Sequence, residues 1–289
     1  MVNEYRMYLL YGSKGWIGGQ LKELLINQRI DFVEGVARCD DVNGVIAELD
    51  AHTPTHVICT VGRTHGNGIN TIDCLEHKDM LRTNLGDNLF SPIILAHLCA
   101  KRDVHFTYLG TGCIFNRDEK TEEYQYKETD DPDFYGSSYS VTKGYTDRMM
   151  RTMFDDTALN VRIRMPIVDD YKTCNRNFIT KILSYPKICS IPNSMTYLPE
   201  LLPVMLDMAK KKKTGTINLT NPGVISHNEI LTLYKERVDP SKTWENMSIA
   251  EQNEILKSRR SNNWLNTTEL ERNYPTVSSI KEVISNMFI

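Results

Sequence analysis

The stretch YRMYLLYGSKGWIGG, residues 5–19, organises the rest of the chain. Its apolar run at residues 7–11 predicts a buried parallel strand, and the leucine spacing after the last glycines predicts a helix. Between them, Gly12 is placed to make a tight turn, Gly15 to let the backbone approach a pyrophosphate, and Gly18 to let the helix pack close on the strand. Because a helix N-terminus presents free N–H groups to phosphates, this stretch predicts a dinucleotide-binding loop.

The composition is that of an ordinary globular protein. Hydrophobic residues make up 40% and charged residues 25% of the 289 residues, and the net charge of −3 gives no electrostatic reason to expect nucleic acid or an anionic membrane as a partner. No apolar run approaches the roughly 18 residues of a membrane span, and the N-terminus lacks a signal pattern. The seven cysteines are scattered without a CxxC pair. These features predict a cytoplasmic protein with free thiols and no metal site.

Strand and helix patterns alternate through the first half of the chain. Strands are predicted at residues 32–37, 56–61, 104–110 and 161–165, and helices at residues 42–49, 75–99 and from Ser137 onward. This order predicts an α/β fold, a Rossmann-type doubly wound parallel sheet with right-handed crossovers. Residues 116–136 are polar and rich in turn formers, which is typical of a functional loop.

The alternation becomes less regular after Pro166. We therefore predict an NADP-binding Rossmann domain at residues 1–165 and a small C-terminal lobe at residues 166–289 that mainly binds substrate. Whether segments of this lobe return to the first domain is left open. Further helices are predicted at residues 178–183 and 198–212 and, behind a capping box at Ser226 to Glu229, from residue 227 onward.

Arg38 follows the second predicted strand, about 20 residues beyond the glycine loop, where the adenosine ribose lies in this fold. An arginine there favours the 2′-phosphate of NADP, and Lys14 in the loop is a second cation. Asp40 and Asp41 follow closely and have two alternatives, contact with a ribose or capping of the next helix. We predict NADPH as the cofactor. NADH, with Arg38 as a solvated side chain, is the alternative.

Tyr139 and Lys143 lie four residues apart in one predicted helix and therefore share a face. An ammonium beside a phenol lets the phenol exchange protons near neutral pH, and the ammonium can also bind the nicotinamide ribose. Thr111 follows the strand at residues 104–110 and offers a hydroxyl to polarise a carbonyl next to Tyr139. These three side chains predict the reaction centre of an oxidoreductase.

Several longer motifs make the pattern more specific. They are GWIGG at 15–19, GTGCIF at 110–115, SYSVTK at 138–143, RMPI at 164–167, RNFITKI at 176–182, IPNSMT at 191–196, TNPGVISHNEIL at 220–231 and RSNN at 260–263. With the Thr–Tyr–Lys set they resemble the extended, sugar-nucleotide branch of the short-chain dehydrogenase/reductase superfamily. Within that branch they look like the 3,5-epimerase/4-reductase of UDP-rhamnose synthesis, a family that includes the C-terminal half of plant rhamnose synthases.

The resemblance spans nearly the whole chain, and it implies a reaction. The substrate would be UDP-4-keto-6-deoxyglucose, the product UDP-L-rhamnose and the reductant NADPH. The upstream 4,6-dehydratase, fused in some relatives, has no room in 289 residues and would be a separate protein. A homodimer is left open.

The resemblance also implies roles outside the Thr–Tyr–Lys set. Cys113 would be the base at the sugar carbons C3 and C5, and Lys181 the acid on the opposite face. The alternatives are a space-filling thiol and a solvated helix lysine. Asn177 and Arg260 are candidates for the pyrophosphate, with capping or plain surface polarity as the alternatives. Asn84 matches a position that supports the backbone of the active site.

The predicted site can be given in full. The catalytic residues are Thr111, Cys113, Tyr139, Lys143 and Lys181. The cofactor-binding residues are Gly12, Ser13, Lys14, Gly15, Trp16, Ile17, Gly18, Arg38, Val61, Gly62, Arg63, Asn84, Tyr139, Lys143 and Met165. The substrate-binding residues are Thr111, Cys113, Asn177, Lys181, Met195 and Arg260. For Met165 and Met195, core packing is an equal alternative.

Two other functions are compatible with the same sequence pattern. One is a reductase that acts only on an already epimerised 4-keto sugar, resembling dTDP-4-dehydrorhamnose reductase, which needs neither Cys113 nor Lys181. The other is a non-catalytic NADP-binding subunit, as in the regulatory subunit of methionine adenosyltransferase. Such a subunit has no need of an intact Thr111, Tyr139 and Lys143.

Overall fold

The computed structural model describes residues 6–117, 120–121 and 123–289. Residues 1–5, which begin the stretch quoted above, lie outside the described residues. So do residues 118, 119 and 122 of the predicted functional loop at 116–136.

The strands form one large sheet and two small ones. They are β1 (Tyr8–Tyr11), β2 (Phe32–Glu34), β3 (His56–Cys59), β4 (His105–Thr111), β5 (Ala158–Ile163), β6 (Pro166–Ile167), β7 (Lys187–Ile188), β8 (Thr196–Tyr197), β9 (Gly215–Asn218) and β10 (Glu245–Asn246). The large sheet has the order β2-β1-β3-β4-β5-β9, while β6 pairs with β8 and β7 with β10.

This sheet confirms the predicted doubly wound parallel fold. β1 pairs in parallel with β2 on one side and with β3 on the other, and β3 pairs in parallel with β4. The order therefore reverses direction between β1 and β3. In open α/β sheets ligands bind at such a reversal, beyond the carboxyl ends of the strands. The glycine loop follows β1 at this point.

The helices connect these strands. They are α1 (Trp16–Asn27), α2 (Val42–His52), α3 (Leu81–Leu85), α4 (Ser91–Ala100), α5 (Ser138–Met153), α6 (Phe178–Ser184), α7 (Leu198–Lys210), α8 (His227–Arg237), α9 (Ile249–Ile255), α10 (Thr268–Asn273) and α11 (Ile280–Met287). The predicted capping box is confirmed at the start of α8, where Ser226 Oγ accepts from Glu229 N–H and the Glu229 carboxylate accepts from Ser226 N–H.

The prediction of one helix over residues 75–99 is wrong. Two 3₁₀ turns, Ile72–Glu76 and Lys78–Met80, precede α3, and a π-helical turn at Gly86–Phe90 separates α3 from α4. Pro92 is the reason for the last irregularity, because it has no N–H to donate. The carbonyl of Asn88, four residues before Pro92, instead accepts from the Thr146 hydroxyl at 2.7 Å. Single π turns of this kind often accompany functional sites.

The chain divides into two compact units with three segments each. The first unit comprises residues 1–110, 137–161 and 205–217, and the second comprises residues 111–136, 162–204 and 218–289. Each has its own apolar core. In the first unit Leu9, Val57, Leu95, Phe106 and Met150 are among the buried side chains, and in the second Ile167, Ile179, Ile230, Ile284 and Phe288. Burial of such side chains is the main stabilising contribution in each unit.

Two kinds of feature are missing from the part of the chain that the structure describes. No helix in it is both long and apolar enough to cross a bilayer. No group of three or more His, Cys, Asp or Glu side chains in it is arranged to hold a metal ion.

Candidate functional site

The glycine loop of the first unit forms a close turn between β1 and α1. Gly12 has φ +86°, a conformation that side chains disfavour, and a Cβ built on it would lie 2.6 Å from Thr60 Oγ1. Gly15 N–H donates to the Gly12 carbonyl at 2.9 Å. A Cβ on Gly18 would lie only 2.0 Å from the same carbonyl oxygen. The loop therefore brings bare backbone to the N-terminus of α1, which suits a pyrophosphate.

Gly18 and Gly19 offer a matched test of this turn. We expect Gly18→Ala to lower the melting temperature and to weaken binding of the predicted dinucleotide more than tenfold, because α1 must move away from β1 to admit the methyl group. The nearest atom to a Cβ on Gly19 is Ser13 O at 3.6 Å, an ordinary contact. Gly19→Ala should therefore bind the dinucleotide normally and gain up to about 1 kcal/mol in helix propensity. Thermal melts and fluorescence titration measure both, and equal behaviour of the two variants would contradict the packing argument.

Glu48 of α2 fixes the backbone that follows β2. Its carboxylate accepts the N–H groups of Val36 at 2.8 Å and Ala37 at 2.9 Å, and the Tyr11 hydroxyl donates to it at 2.6 Å. Burial, reinforced by this carboxylate, raises the pKa of Tyr11. The segment that leads to Arg38 is thus held from both α2 and β1.

Arg38 lies in a network of two arginines and two aspartates. Its guanidinium donates to both carboxylate oxygens of Asp40, each at 2.9 Å, and lies 3.6 Å from Asp87. Arg63 pairs with the same Asp87 at 2.8 Å. The Arg38 side chain is 67% exposed, so its pairing with Asp40 is a weak surface interaction that a phosphate could replace. Asp41 instead caps α2 by accepting from Gly44 N–H, the second of its two predicted alternatives.

A cavity of about 130 Å³ opens beside this network. Its lining residues are Tyr11, Gly12, Gly35, Ala37, Arg38, Cys39, Val61, Asp87 and Ser91. The structure therefore brings together Gly12, Arg38 and Val61 from three separate parts of the predicted cofactor site. Their common position is the carboxyl end of the sheet in the first unit.

Glu34 ends β2, the place where an acid would accept hydrogen bonds from the ribose of NAD. Here its carboxylate pairs with Lys22 at 2.5 Å. Hydrogen bonds from Lys22 and Ser13 lower the pKa of Glu34. The carboxylate is thus already engaged by a cation and a hydroxyl, whereas the guanidinium of Arg38 is exposed at the cavity.

Asn84 is buried in a network that links α3 to α5. Its amide donates to the Ser138 carbonyl at 3.1 Å and to Thr142 Oγ1 at 3.2 Å, and it accepts from Asn88 at 2.8 Å. The Asn88 side chain in turn bonds both the N–H and the carbonyl of Arg63, each at 2.9 Å. Asn84 therefore connects the helix that carries Tyr139 with the loop after β3.

Tyr139 and Lys143 are both buried on α5, at 8% and 4% exposure. Lys143 Nζ donates to the Tyr108 hydroxyl and lies 4.6 Å from the centre of that ring. Tyr108 belongs to β4 and is fully enclosed; burial raises its pKa, and the nearby Tyr139 raises it further. The ammonium is thus held between α5 and β4 by a phenol that stays neutral.

The second unit contains the other predicted reactive groups. Thr111 is buried, and its Oγ1 accepts from Cys113 N–H at 3.1 Å. Cys113 is half-buried, and its Sγ lies 3.5 Å from Nη1 of Arg164, a guanidinium at the end of β5. A cation at this distance stabilises a thiolate relative to a thiol.

Lys181 lies half-buried on α6 among other cations. Desolvation lowers the pKa of Lys181, and the charges of Arg176 and Arg260 lower it further. A lysine in such surroundings gives up a proton more readily than a solvated one. The same convergence of positive charge suits an anionic ligand.

Arg260 lines a second cavity, of about 290 Å³. The other lining residues are Asn116, Asp133, Phe134, Tyr135, Gly136, Ile249, Asn253, Arg259 and Asn262. Two neighbouring arginines, Arg259 and Arg260, therefore face a pocket large enough for part of a nucleotide.

Asn177 has a different geometry from a phosphate ligand. It is fully buried at the N-cap of α6, where its side-chain oxygen accepts from Ile179 N–H at 3.1 Å. Its amide donates to the carbonyls of Val168 and Asp170, at 2.7 and 3.0 Å. The capping alternative accounts for all of these bonds, so Asn177 positions the helix that carries Lys181.

The two methionines lie in the second unit. Met195 is fully buried in its core, and Met165 packs against that core with a positive φ of 40°. A positive φ is uncommon for a residue other than glycine and marks a turn held by its surroundings. Core packing, the alternative left open for both residues, describes these contacts.

Comparison with known proteins places the chain in a family. No protein-family model matches it. It is 41% identical over 280 residues to a bifunctional dTDP-4-dehydrorhamnose 3,5-epimerase/dTDP-4-dehydrorhamnose reductase of Arabidopsis thaliana, covering 95% of this chain and 90% of the relative. The chain belongs to this epimerase/reductase family. A trifunctional Arabidopsis protein with 4,6-dehydratase, epimerase and reductase activities in its name is 40% identical over 280 residues, and the match covers 95% of this chain but only 40% of that protein.

Solved structures agree with the membership in the epimerase/reductase family. The crystal structure of the L780 UDP-rhamnose synthase from Acanthamoeba polyphaga mimivirus has a TM-score of 0.93 and 49% identity, covering 98% of this chain and 99% of that one. A dTDP-4-dehydrorhamnose reductase from Bacillus anthracis, solved in complex with NADP, has a TM-score of 0.80 at 17% identity and covers 98% of both chains. At 17% identity, the similarity to the Bacillus anthracis protein is evidence for the fold alone.

Several residues of this epimerase/reductase family member were missed by sequence reasoning. They are Tyr108 beside Lys143, Asp87 between two arginines, Arg164 beside Cys113, and Arg176 beside Lys181. Arg164 and Arg176 lie within the quoted motifs RMPI and RNFITKI. The sequence therefore shows that the two arginines belong to these motifs, but it does not show which side chains they contact. Tyr108 and Asp87 gave no signal, because each acts on a residue distant in sequence.

Proposed function

We propose that this chain converts UDP-4-keto-6-deoxyglucose to UDP-L-rhamnose, by epimerisation at C3 and C5 followed by reduction at C4. The observation that carries the proposal is the presence, in a member of this family, of both a buried Tyr139–Lys143 pair and a Cys113 thiol beside a guanidinium. The first pair suits a reductase, and a thiol beside a cation is a group that can also move protons at carbon.

For the epimerisation we propose Cys113 as the base and Lys181 as the acid. The C3 and C5 hydrogens are acidic because they are α to the C4 carbonyl. The thiolate removes one of them, the electron pair passes to the carbonyl as an enolate, and the Lys181 ammonium returns a proton to the opposite face. The lowered pKa of Lys181 makes this transfer easier. Exchange with water then restores the thiolate and the ammonium for the second centre.

For the reduction we propose Tyr139 as the proton donor to the C4 oxygen, with Thr111 as a second hydrogen-bond donor. Lys143 would hold the nicotinamide ribose while Tyr108 holds Lys143. The residues present fit a dinucleotide, because any Cβ at Gly12 or Gly18 would fill the space beside the backbone turn. When bound, the dihydronicotinamide supplies the hydride that C4 accepts.

NADPH is the proposed form of the cofactor. The support is the exposed Arg38 at the cavity and the prior engagement of Glu34 by Lys22. Both features favour an additional phosphate on the ribose over a free 2′-hydroxyl.

We expect Arg38→Ala to weaken NADPH binding about tenfold to a hundredfold and NADH binding less than about threefold. Only NADPH carries the 2′-phosphate, and a hydrogen bond to a charged group contributes about 1.5–3 kcal/mol. Fluorescence titration of both nucleotides gives the two dissociation constants. Arg102→Ala is the control, because Arg102 pairs with Asp50 and does not line the cavity. Equal losses for NADPH and NADH would contradict the assignment.

The function is tested by product analysis in deuterium oxide. The chain is incubated with UDP-4-keto-6-deoxyglucose and NADPH, without an added epimerase, and the product is examined by mass spectrometry and NMR. The proposal requires UDP-L-rhamnose with deuterium at C3 and C5. A reduced sugar without this deuterium would indicate a reductase alone, and tight NADPH binding without turnover would indicate a regulatory subunit. The dTDP-linked sugar, run in parallel, decides the nucleotide preference.

A further inference from the structure

Arg164 is a buried cation with neutral partners. Its side chain follows β5 and is 1% exposed. Nη2 donates to Asn193 Oδ1 and to the Ser261 carbonyl, each at 2.5 Å. Nη1 donates to the Gly112 carbonyl at 3.4 Å, to Ser261 Oγ at 3.3 Å and to Cys113 Sγ at 3.5 Å. Of these five acceptors, only the sulfur can itself become an anion.

A buried guanidinium is costly unless a negative charge compensates it. Across residues 6–117, 120–121 and 123–289, no Asp or Glu carboxylate forms an ion pair with Arg164, and its Nε has no hydrogen-bond partner. Burial lowers the pKa of Arg164, and the electrostatic interaction with Cys113 opposes that effect. Because an arginine stays protonated in proteins, a negative charge on the Cys113 sulfur, 3.5 Å from Nη1, would compensate the guanidinium.

We propose that Arg164 is a positioning residue whose fixed charge keeps Cys113 ionised and its sulfur in one place. This inference rests on the proposed function, in which Cys113 removes the C3 and C5 protons. It adds a physical reason why this thiol can act as a base, namely the fixed positive charge 3.5 Å from its sulfur.

The guanidinium is itself immobilised by a layer of polar contacts. Asn193 Oδ1, which accepts from Arg164, also accepts from Asn263 N–H at 2.9 Å. Asn263 donates its side-chain amide to the Gly112 carbonyl at 2.8 Å, and Ser261 Oγ donates to the Phe115 carbonyl at 2.7 Å. These bonds tie the charge to the backbone on both sides of Cys113.

His227, at the start of α8, is another titratable side chain whose ionisation Arg164 influences. Burial lowers the pKa of His227 to about 4, and the charge of Arg164 contributes to the lowering. Its imidazole is therefore neutral at pH 7 and adds no charge to the group.

The test measures alkylation of Cys113 in the full-length chain by iodoacetamide, resolved by mass spectrometry. Arg164→Gln removes the charge and keeps a planar amide donor, while Arg164→Lys keeps the charge. At pH 7 we expect Arg164→Gln to slow alkylation of Cys113 at least tenfold, and Arg164→Lys to slow it much less. At about pH 9.5, where an ordinary thiol is ionised, all three proteins should react alike. Cys174, the other half-buried thiol, is the internal reference.

The outcomes separate the electrostatic role from a structural one. An unchanged rate at pH 7 in Arg164→Gln overturns the inference, and so does a loss that persists at pH 9.5, since that would reflect altered access. If Arg164→Gln fails to fold, the wild-type chain decides: its rate at Cys113 should level off at lower pH when folded than in urea. A plateau at the same or higher pH overturns it. No sugar or cofactor is used, so failure here is distinct from failure of the proposed reaction.

Discussion

Cys113→Ala should reduce the incorporation of solvent deuterium at C3 and C5 of the substrate by about a hundredfold to ten-thousandfold. This is the usual contribution of a positioned general base, and alanine removes the sulfur without adding bulk. Cys113 does not line the cavity beside Arg38, so NADPH affinity should stay within about twofold. The measurement is a time course of deuterium uptake followed by NMR in the absence of NADPH.

Cys174→Ala is the matched control for this substitution. Cys174 is also a half-buried free thiol of the second unit, and it faces Arg176 and Lys181. Its replacement should leave deuterium uptake within about threefold of the wild type. Exchange that continues at the wild-type rate in Cys113→Ala would refute the base, and the reductase-only alternative would then describe the chain.

Tyr139→Phe is expected to have the opposite pattern. Oxidation of NADPH should slow by about a hundredfold to ten-thousandfold, because the phenol is the proposed proton donor to the C4 oxygen. Deuterium uptake at C3 and C5 should remain within about threefold of the wild type, since the enolate forms before that proton is needed. Stopped-flow absorbance at 340 nm, together with the same NMR assay, separates the two steps.

Substitutions of two other tyrosines serve as controls for Tyr139→Phe. Tyr145 is on the same helix but 58% exposed, so Tyr145→Phe should leave both steps unchanged. Tyr108→Phe removes the hydroxyl that accepts from Lys143 and should slow NADPH oxidation less than Tyr139→Phe does. If Tyr139→Phe slowed deuterium exchange as much as NADPH oxidation, Tyr139 would be needed for both epimerisation and reduction. The proposed assignment of Tyr139 to the reduction alone would then be wrong.

Features encoded within a few neighbouring residues were predictable. The turn at Gly12, the close approach at Gly18 and the capping box at Ser226 all depend on contacts inside one strand–loop–helix or one helical turn. The shared face of Tyr139 and Lys143 follows from the helical repeat alone. The doubly wound sheet followed from the alternation of strands and helices, because right-handed crossovers leave few other arrangements.

The irregular run at residues 72–100 shows where periodicity fails. The apolar spacing there is helical. However, Pro92 has no backbone N–H to donate to a carbonyl in the preceding turn, and the helix contains a π turn at this place. An apolar pattern reports which side of a segment is buried. It does not show whether each backbone N–H group forms its helical hydrogen bond to a carbonyl.

The sequence alone therefore determined the glycine turn, the helix caps, the order of strands and helices and the residue types available for chemistry, since these arise from interactions between near neighbours. The tertiary structure decided the partners. Arg164 is 51 residues from Cys113, and Lys143 is 35 residues from Tyr108. Asp87 joins Arg38 to Arg63 across the carboxyl end of the sheet. A charge at such a separation has no local signature, because its effect depends on distance and burial that exist only once the chain has folded.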